Sequence, residues 1–198
     1  MVIHLPTLFR ELDSMSANGI HWQGRVLVSD RAHIVFDFHQ IVDGLAEAEL
    51  GASQLGTTKR GIGPCYSDKA ARCGLRVAEL VGDKFEEQFR ALVALTRRRW
   101  GADKLVRVAS DGKHVPYDEQ AELSALLELR TRMRTARMVV DTSAYLQQAI
   151  AAKKTVLLEG ANATLLDLDH GTYPFVTSSS PSFAGAALGL GISPVSKL

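Results

Sequence analysis

The chain has 198 residues, of which 46% are hydrophobic and 23% charged, and its formal net charge is +1. This length allows one substantial domain with its own core, or at most two small ones. The near-neutral charge gives no overall field for nucleic acid or an acidic membrane, and no stretch reaches the roughly 18 apolar residues of a membrane-spanning helix. The start, MVIHLPTLF, lacks a signal-peptide pattern, and Cys65 and Cys73 lack metal-ligand spacing, so we expect a cytoplasmic protein with reduced thiols.

The first part of the chain alternates strand and helix patterns. VIHL predicts the end of a strand, and a helix follows from Pro6 towards Asn18 and Gly19. Buried strands are predicted at 25–30 and 34–38, followed by a helix at 39–50. We expect His33 and His39, which flank the second strand, to be structural, because no carboxylate or cysteine cluster accompanies them at ligand spacing.

Residues 56–72, GTTKRGIGPCYSDKAAR, concentrate glycines, hydroxyl groups and positive charge. The glycines can adopt positive φ and bring backbone N–H groups close to an anion, and Thr57 and Thr58 add hydroxyl donors. The cations are Lys59, Arg60, Lys69 and Arg72. This inventory predicts a phosphate site, with a solvated surface loop as the alternative.

The same segment is not a Walker A loop, because Ile62 and Gly63 stand where Lys and Ser or Thr are required. Pro64 is expected to end the loop. Ser67 or Asp68 is then expected to cap a short helix that aims its first N–H groups back at the loop. The residues alone therefore indicate an anion and not a nucleoside triphosphate.

Helices dominate the prediction for the middle of the chain. A charged helix is predicted at 83–99, with Phe85, Phe89, Leu92 and Leu95 on one face. The segment 97–100, RRRW, has a nucleic-acid patch as its alternative interpretation. A polar link with a turn at Asp111-Gly112 follows at 104–117, and long helical segments fill 118–150. A mostly solvated face, with an interface as the alternative, is predicted for the charged residues Glu122, Glu128, Arg130, Arg132, Arg134 and Arg137.

Residues 155–159, TVLLE, predict a buried strand that runs directly into the small residues and the amide of 160–164. The carboxyl end of a strand is a common ligand site in open α/β sheets. A binding loop rich in hydroxyl groups is predicted at 165–180, where Asp167, Asp169 and His170 are alternative metal ligands. The apolar tail from Phe183 is expected to pack as a helix against a sheet.

Two segments, GTTKRGIGPCYSDKAAR and EGANATLLDLDHGTYPFVTSS, together resemble the signature stretches of adenylosuccinate synthetase. VIHLPTLFREL, SDRAHIVFDFHQIVDG and GLGISP are similar to the same family in the same order. The resemblance covers nearly the whole chain and is weakest at about 83–150. Asn162 in EGANA, where bacterial forms carry Gln, is similar to eukaryotic members.

The resemblance implies an α/β fold with a central, mostly parallel sheet flanked by helices, related to P-loop proteins. It implies one family domain over 1–198, incomplete at both ends, with a helical excursion at about 83–150. The implied enzyme is a GTP-dependent, Mg²⁺-requiring ligase that joins IMP and L-aspartate to give adenylosuccinate, GDP and phosphate in AMP biosynthesis. In such an enzyme GTP phosphorylates the 6-oxygen of IMP, and the aspartate amine then displaces that phosphate.

The resemblance also implies roles for single residues. Thr58 and Thr177 are similar to hydroxyls that bind the IMP phosphate, and Asn162 to an amide that contacts IMP. Arg72 is similar to an arginine that reaches, in trans across a homodimer, the IMP of the other subunit. Lys69 is similar to the lysine of the GIGPxYxxK signature and is the one catalytic-site cation expected here.

The family's GTP loop, with its catalytic aspartate and histidine, is expected upstream of Met1, and its aspartate-binding and guanine-reading motifs downstream of Leu198. We therefore expect no metal or cofactor ligands within this chain, and no turnover by the chain alone. The alternative is a non-catalytic IMP-binding or dimerisation protein derived from the synthetase. We expect no nucleic-acid or membrane partner. SSSPSFAGAA also departs from the family's more polar SSNxxxGG.

Overall fold

The computed structural model describes residues 1–108 and 112–192. Within those residues the chain is an α/β protein with eight α-helices and six short strands. It divides into two compact units, an amino-terminal unit over Val2–Val139 and a carboxyl-terminal unit that begins at Val140. The single domain expected over 1–198 stays a prediction. None of the described helices is long and apolar enough to cross a membrane.

The elements follow one another with short connections. The strands are β1 (Val2–Ile3), β2 (Val28–Ser29), β3 (His33–Ile34), β4 (Val106–Val108), β5 (His114–Pro116) and β6 (Val139–Val140). The helices are α1 (Leu5–Ala17), α2 (Asp37–Leu50), α3 (Ile62–Ala71), α4 (Val77–Leu80), α5 (Phe85–Trp100), α6 (Glu119–Thr135), α7 (Thr142–Ala151) and α8 (Phe183–Leu190). Short 3₁₀ turns lie at Gly51–Ser53 and Thr164–Leu166.

The strands of the amino-terminal unit include one parallel and one antiparallel pair. β1 and β3 are parallel, with Val2 opposite His33 and Ile3 opposite Ile34. β4 and β5 form an antiparallel hairpin within the segment 104–117, which the sequence predicted as a polar link. The predicted turn at Asp111-Gly112 lies partly outside the described residues, because Asp111 is not among them. The α/β class is confirmed.

The predicted strands at 25–30 and 34–38 are shorter in the structure. The first is reduced to β2, and the second ends at Ile34 because α2 begins at Asp37. The N–H of Phe36 donates to Nδ1 of His39 at 3.0 Å, a side-chain cap that turns the backbone into the helix. Sequence periodicity missed this cap because histidine is not a common capping residue.

Four phenylalanines form the centre of the amino-terminal core. The ring centroid of Phe89 lies 5.2 Å from that of Phe36 and 5.9 Å from that of Phe85. Phe38 stacks on Phe36 at 5.2 Å. All four side chains are fully buried, which confirms the apolar face predicted for the helix at 83–99. Edge and stacked contacts of this kind hold α5 against the start of α2.

Glu122 of α6 is buried, although the sequence placed it on a solvated face. Its carboxylate accepts the N–H of Asp37 at 2.6 Å and the hydroxyl of Tyr117 at 2.5 Å. Burial, together with the nearby charge of Asp37, raises the pKa of Glu122 to about 8. The side chain therefore ties α6 to the first turn of α2, a tertiary contact that no local pattern predicts.

The carboxyl-terminal unit contains α7, α8 and the long segment between them. Asp141 caps α7 by accepting the N–H of Ala144 at 3.1 Å, and the hydroxyl of Ser182 caps α8. The strand predicted at 155–159 does not form: no described strand pairs with it, and Leu157 is 90% exposed. A strand requires a partner for its backbone groups. α8 confirms the predicted helix but lies against α7 and not against a sheet; the end of the tail, 193–198, lies outside the described residues.

Phe89→Ala removes the ring between Phe36 and Phe85 and leaves a cavity in the core. We expect the free energy of unfolding to fall by about 3–5 kcal/mol, measured by urea denaturation followed by circular dichroism. Ile20→Ala is the control, because Ile20 is 46% exposed and in the same unit. A loss for Phe89→Ala as small as that for Ile20→Ala would contradict the assignment of Phe89 to the core.

Candidate functional site

The segment that follows α2 is exposed and adopts an unusual backbone. Residues 51–60 are all exposed. Four residues from 51 to 61 have positive φ: Gly51 at 54°, Gly56 at 75°, Lys59 at 53° and Gly61 at 76°. Glycine adopts this region without a steric cost, whereas lysine does so with some strain. The result is a tight, outward loop that carries Thr57, Thr58, Lys59 and Arg60.

Buried carboxylates of α2 hold both ends of this loop. Glu47 accepts the N–H of Leu55 at 3.2 Å through Oε1 and the N–H of Gly56 at 3.0 Å through Oε2. Asp43 accepts the N–H of Gly61 at 2.9 Å. The sequence predicted that the glycine N–H groups would face an anion, and the structure corrects this for Gly56 and Gly61. The side chains of Thr57–Arg60 are exposed and form the outer surface of the loop.

The close packing of α3 on α2 requires a glycine at position 61. A Cβ at this position would lie 2.8 Å from the backbone nitrogen of Gln40 and 2.8 Å from the carbonyl carbon of His39. The start of α3 therefore passes directly over the backbone of α2. α2 and α3 can pack this closely because residue 61 has no side chain.

α3 begins earlier than predicted. Its N-cap is Gly61 and its first residue is Ile62, so Ser67 and Asp68 lie in the middle of the helix and cap nothing. Pro64 does not end the loop, because it lies in the first helical turn, where a proline is tolerated. Burial raises the pKa of the Cys65 thiol to about 12, which marks it as an inert core group.

The two cations predicted on α3 are exposed. The ammonium group of Lys69 lies 5.5 Å from the ring centroid of Tyr66. Arg72 is the C-cap of α3, with a left-handed φ of 62°, and its N–H donates to the carbonyls of Asp68 and Lys69. Its guanidinium group forms no ion pair within the described part of the chain. Thr58, Lys69 and Arg72 thus lie on the surface of one unit.

The carboxylate of Asp68, which is buried on the same helix, accepts hydrogen bonds from three side chains. It accepts Nε2–H of His39 at 3.2 Å, the thiol of Cys73 at 3.3 Å and Nη1 of Arg99 at 3.1 Å. Burial raises the pKa of Asp68, but the hydrogen bonds from His39 and Cys73 and the charge of Arg99 together lower it below its usual value. Burial lowers the pKa of His39, which favours its neutral form. His39 is therefore a structural residue, as expected.

The arginine triplet at the end of α5 is largely committed to contacts within the chain. Nη1 of Arg97 donates to Glu119 at 2.6 Å, and Arg99 is bound to Asp68. Arg98 is exposed. The alternative of a nucleic-acid patch loses its main support, because two of its three cations already have carboxylate partners.

A separate candidate site is the loop at 160–182 in the carboxyl-terminal unit. Asn162 is exposed in an irregular turn. Thr177 is half-buried: its N–H donates to the carbonyl of Leu166 at 2.9 Å, and its hydroxyl lies 3.4 Å from that of Ser179. The peptide bond between Tyr173 and Pro174 is cis. The loop therefore presents Asn162 and holds Thr177 by its backbone.

Asp167 organises this loop from within. Its fully enclosed carboxylate accepts the N–H groups of Asp169 at 3.0 Å and His170 at 3.1 Å, and the hydroxyl of Ser180 at 2.5 Å. The hydrogen bond from Ser180, with those from the two N–H groups, lowers the pKa of Asp167 to about 2. With its oxygens engaged in this way, Asp167 is not available as the metal ligand that was its alternative role. The described residues contain no group of three or more His, Cys, Asp or Glu side chains that could hold a metal ion.

Sequence reasoning missed the groups that support the site. His39, Asp43 and Glu47 are spaced four residues apart and all face inward from α2, and we call them the polar stripe of α2. Their spacing was visible in the sequence, since residues i and i+4 share one helix face. The helix was instead predicted from the spacing of its apolar residues. Asp68 and Arg99 carried no local signal.

In each unit, polar or cationic candidate side chains lie on or next to a loop that buried carboxylates hold in place. The chain is therefore an α/β protein with candidate ligand contacts in each of its two units. The family model described as "Adenylosuccinate synthetase" matches residues 1–197. The chain belongs to the adenylosuccinate synthetase family, which confirms the resemblance found in the sequence.

The relatives span more than this chain. This chain is 50% identical over 195 residues to adenylosuccinate synthetase 1 of Laccaria bicolor. The match covers 98% of this chain and 42% of the relative. The chloroplastic synthetase of Nicotiana tabacum is 48% identical, with 98% of this chain and 36% of the relative covered. A solved structure of fully ligated adenylosuccinate synthetase from Plasmodium falciparum matches with a TM-score of 0.86 and 36% identity, over 99% of this chain and 43% of that one. The chain spans less than half the length of each of these eukaryotic relatives.

Gly61→Ala tests the close approach of α3 to α2. Gly24→Ala is the matched control, because Gly24 has a φ of 72° and a Cβ added there would meet no atom within 4 Å, whereas Gly61 has a φ of 76° and three such atoms at 2.8 Å. We expect Gly24→Ala to lose about 1–2 kcal/mol of unfolding free energy through its backbone alone. Gly61→Ala should lose clearly more in the same denaturation assay. Equal losses would contradict the steric role of Gly61.

Asp167→Asn tests the carboxylate at the centre of the second loop. The folded pKa of about 2 lies below the ordinary 3.8, so the carboxylate stabilises the folded state above about pH 4 and loses that contribution as the pH falls towards 2. We expect Asp167→Asn to be less stable than the wild type at neutral pH, and the two unfolding curves to converge near pH 2. Asp169→Asn, in an exposed carboxylate of the same loop, is the control. A wild-type advantage that persists unchanged at pH 2 would contradict this role.

Proposed function

We propose that this chain carries the IMP-binding part of an adenylosuccinate synthetase. The whole enzyme would be the ligase of AMP biosynthesis that joins IMP and L-aspartate at the expense of GTP, giving adenylosuccinate, GDP and phosphate. The observation that carries the proposal is the match of the family model to residues 1–197, within which Thr58, Lys69 and Arg72 are exposed on one unit.

The IMP phosphate would be bound by hydroxyl groups and cations. Thr58 supplies a hydroxyl from a loop whose neighbours Lys59 and Arg60 are positively charged, and Thr177 would supply a second hydroxyl. Asn162 is exposed and would contact the remainder of the nucleotide. Lys69 would add positive charge near the reacting groups. Hydroxyl and cationic donors of this kind suit a phosphate dianion, because charge-assisted hydrogen bonds are the stronger ones.

Arg72 would act on the IMP of a second copy in a homodimer. Two features support this role: its position at the exposed end of α3, and a guanidinium group that forms no ion pair among the described residues. A planar guanidinium can bind a phosphate in a bidentate manner. A site completed in this way would exist only in the dimer.

Among the residues that the structure describes, no group of three or more His, Cys, Asp or Glu side chains could hold a metal ion. We assign no ligand of Mg²⁺ and none of GTP to the described residues. We also propose that this chain by itself binds IMP without turning it over. We also propose the cytoplasm as the compartment, which suits the free thiols Cys65 and Cys73.

Calorimetric titration of IMP into the folded chain tests the proposal. We expect saturable binding that weakens about tenfold or more in Arg72→Ala, since hydrogen bonds to charged groups contribute about 1.5–3 kcal/mol. Arg98→Ala is the control, because it removes an exposed arginine from the same unit and should leave the affinity unchanged. A folded chain that does not bind IMP would overturn the assignment.

A mixing experiment tests whether Arg72 acts in trans. Thr58→Ala and Arg72→Ala each damage a different component of the site. If the two residues serve one site from different subunits, a mixture of the variants forms mixed dimers that contain one intact site, and tight binding returns. If the mixture binds no better than either variant alone, Arg72 acts within its own subunit or not at all.

A further inference from the structure

We propose that Asp43 and Glu47 are positioning residues for IMP, because their buried carboxylates hold both ends of the segment Thr57–Arg60. This inference rests on the proposed function and concerns the same site. In the proposed function, no side chain of α2 contacts the ligand. The present inference is that α2 instead fixes the conformation of the phosphate-binding loop.

The contacts of Glu47 are those of an anchor. One carboxylate oxygen takes the N–H of Leu55 at 3.2 Å, and the other takes the N–H of Gly56 at 3.0 Å. Glu47 is only 4% exposed, so water competes little for these bonds. Two charge-assisted bonds from neighbouring N–H groups to one carboxylate restrict the backbone orientation as well as its position.

Asp43 fixes the other end. Its carboxylate is 5% exposed and accepts the N–H of Gly61 at 2.9 Å. Gly61 packs so closely against α2 that an added Cβ would lie 2.8 Å from backbone atoms of His39 and Gln40. The last residue of the loop is therefore held by a hydrogen bond on one side and by steric contact on the other.

The segment between the two anchors is short and exposed. Thr57, Thr58, Lys59 and Arg60 stand out from the surface, with Lys59 in the left-handed region at a φ of 53°. A free segment of this kind would lose backbone entropy on binding a ligand, whereas an anchored one has already lost it. The anchors should therefore raise the affinity for a phosphate ligand without contacting it.

The distribution of charge is consistent with anchoring by Asp43 and Glu47 and ligand contact by the exposed side chains. Asp43 and Glu47 point into the protein and are compensated by backbone N–H groups, while Lys59 and Arg60 point outward. The carboxylates thus occupy the loop's inner N–H groups, which would otherwise be an alternative anion site, and leave the outer side chains for the ligand. This arrangement distinguishes the loop from a phosphate cradle built of backbone N–H groups.

The test compares Glu47→Ala and Glu47→Gln with Glu49→Gln in the full chain. Glu49 is an exposed carboxylate on the same helix and is the matched control for charge. Hydrogen exchange should accelerate about tenfold or more at the N–H groups of Leu55 and Gly56 in Glu47→Ala. Glu47→Gln, which keeps one carbonyl acceptor, should retain part of the protection. Glu49→Gln should behave as the wild type.

IMP affinity is the second readout, measured well below the unfolding midpoint of every variant. We expect the affinity to fall about tenfold in Glu47→Ala, to recover partly in Glu47→Gln and to fall similarly in Asp43→Ala, since each alanine variant loses an anchor. A merely structural role would lower the midpoint but leave the affinity of the folded protein unchanged.

The outcomes separate the two proposals. If the wild type binds IMP but Glu47→Ala binds it equally well, the positioning role is overturned and the proposed function stands. Unchanged hydrogen exchange in Glu47→Ala overturns the positioning role whether or not IMP binds. If the wild type does not bind IMP, the proposed function fails, and the exchange rates still show whether Glu47 anchors the loop.

Discussion

The buried polar stripe of α2 is the constraint on which the candidate site of the amino-terminal unit depends. His39 binds Asp68 of α3, Asp43 binds the N–H of Gly61, and Glu47 binds the loop before it. Buried polar groups destabilise the fold unless they are paired, so each of these contacts excludes other positions of the loop and of α3. The aromatic core packs against the start of α2. Hydrogen bonds from the stripe to the loop then determine where the exposed side chains of the loop lie.

The carboxyl-terminal unit uses the same device independently. Asp167 is enclosed by its own loop and collects two N–H groups and the hydroxyl of Ser180. In both units, then, a carboxylate faces inward and orders a loop whose outer side chains remain exposed. Carboxylates suit this task because they accept several hydrogen bonds at once and bind N–H donors more strongly than neutral acceptors do.

This arrangement gives a physical basis for the family's proposed substrate. Because the N–H groups of Gly56 and Gly61 are already engaged, a phosphate bound as proposed would be recognised by hydroxyl and cationic side chains such as Thr58 and Arg72. Such contacts are readily shared between two subunits, since they extend from the surface. The chain spans 42% of the length of its Laccaria bicolor relative. The proposal therefore concerns the binding of IMP and does not extend to the other substrates of a whole synthetase.

The sequence by itself determined the family, the α/β class, most helices and the exposed candidate residues, because these depend on local composition and on motifs that are contiguous in the chain. It failed where a contact distant in sequence decided the outcome. The strand predicted at 155–159 lacks a partner among the described residues, and Glu122, predicted to be solvated, is buried by Asp37 and Tyr117. The anchors Asp43 and Glu47 became visible only when α2, the loop and α3 were brought together. Tertiary structure alone decides which polar groups are buried, because burial and pairing are properties of the neighbours that folding supplies.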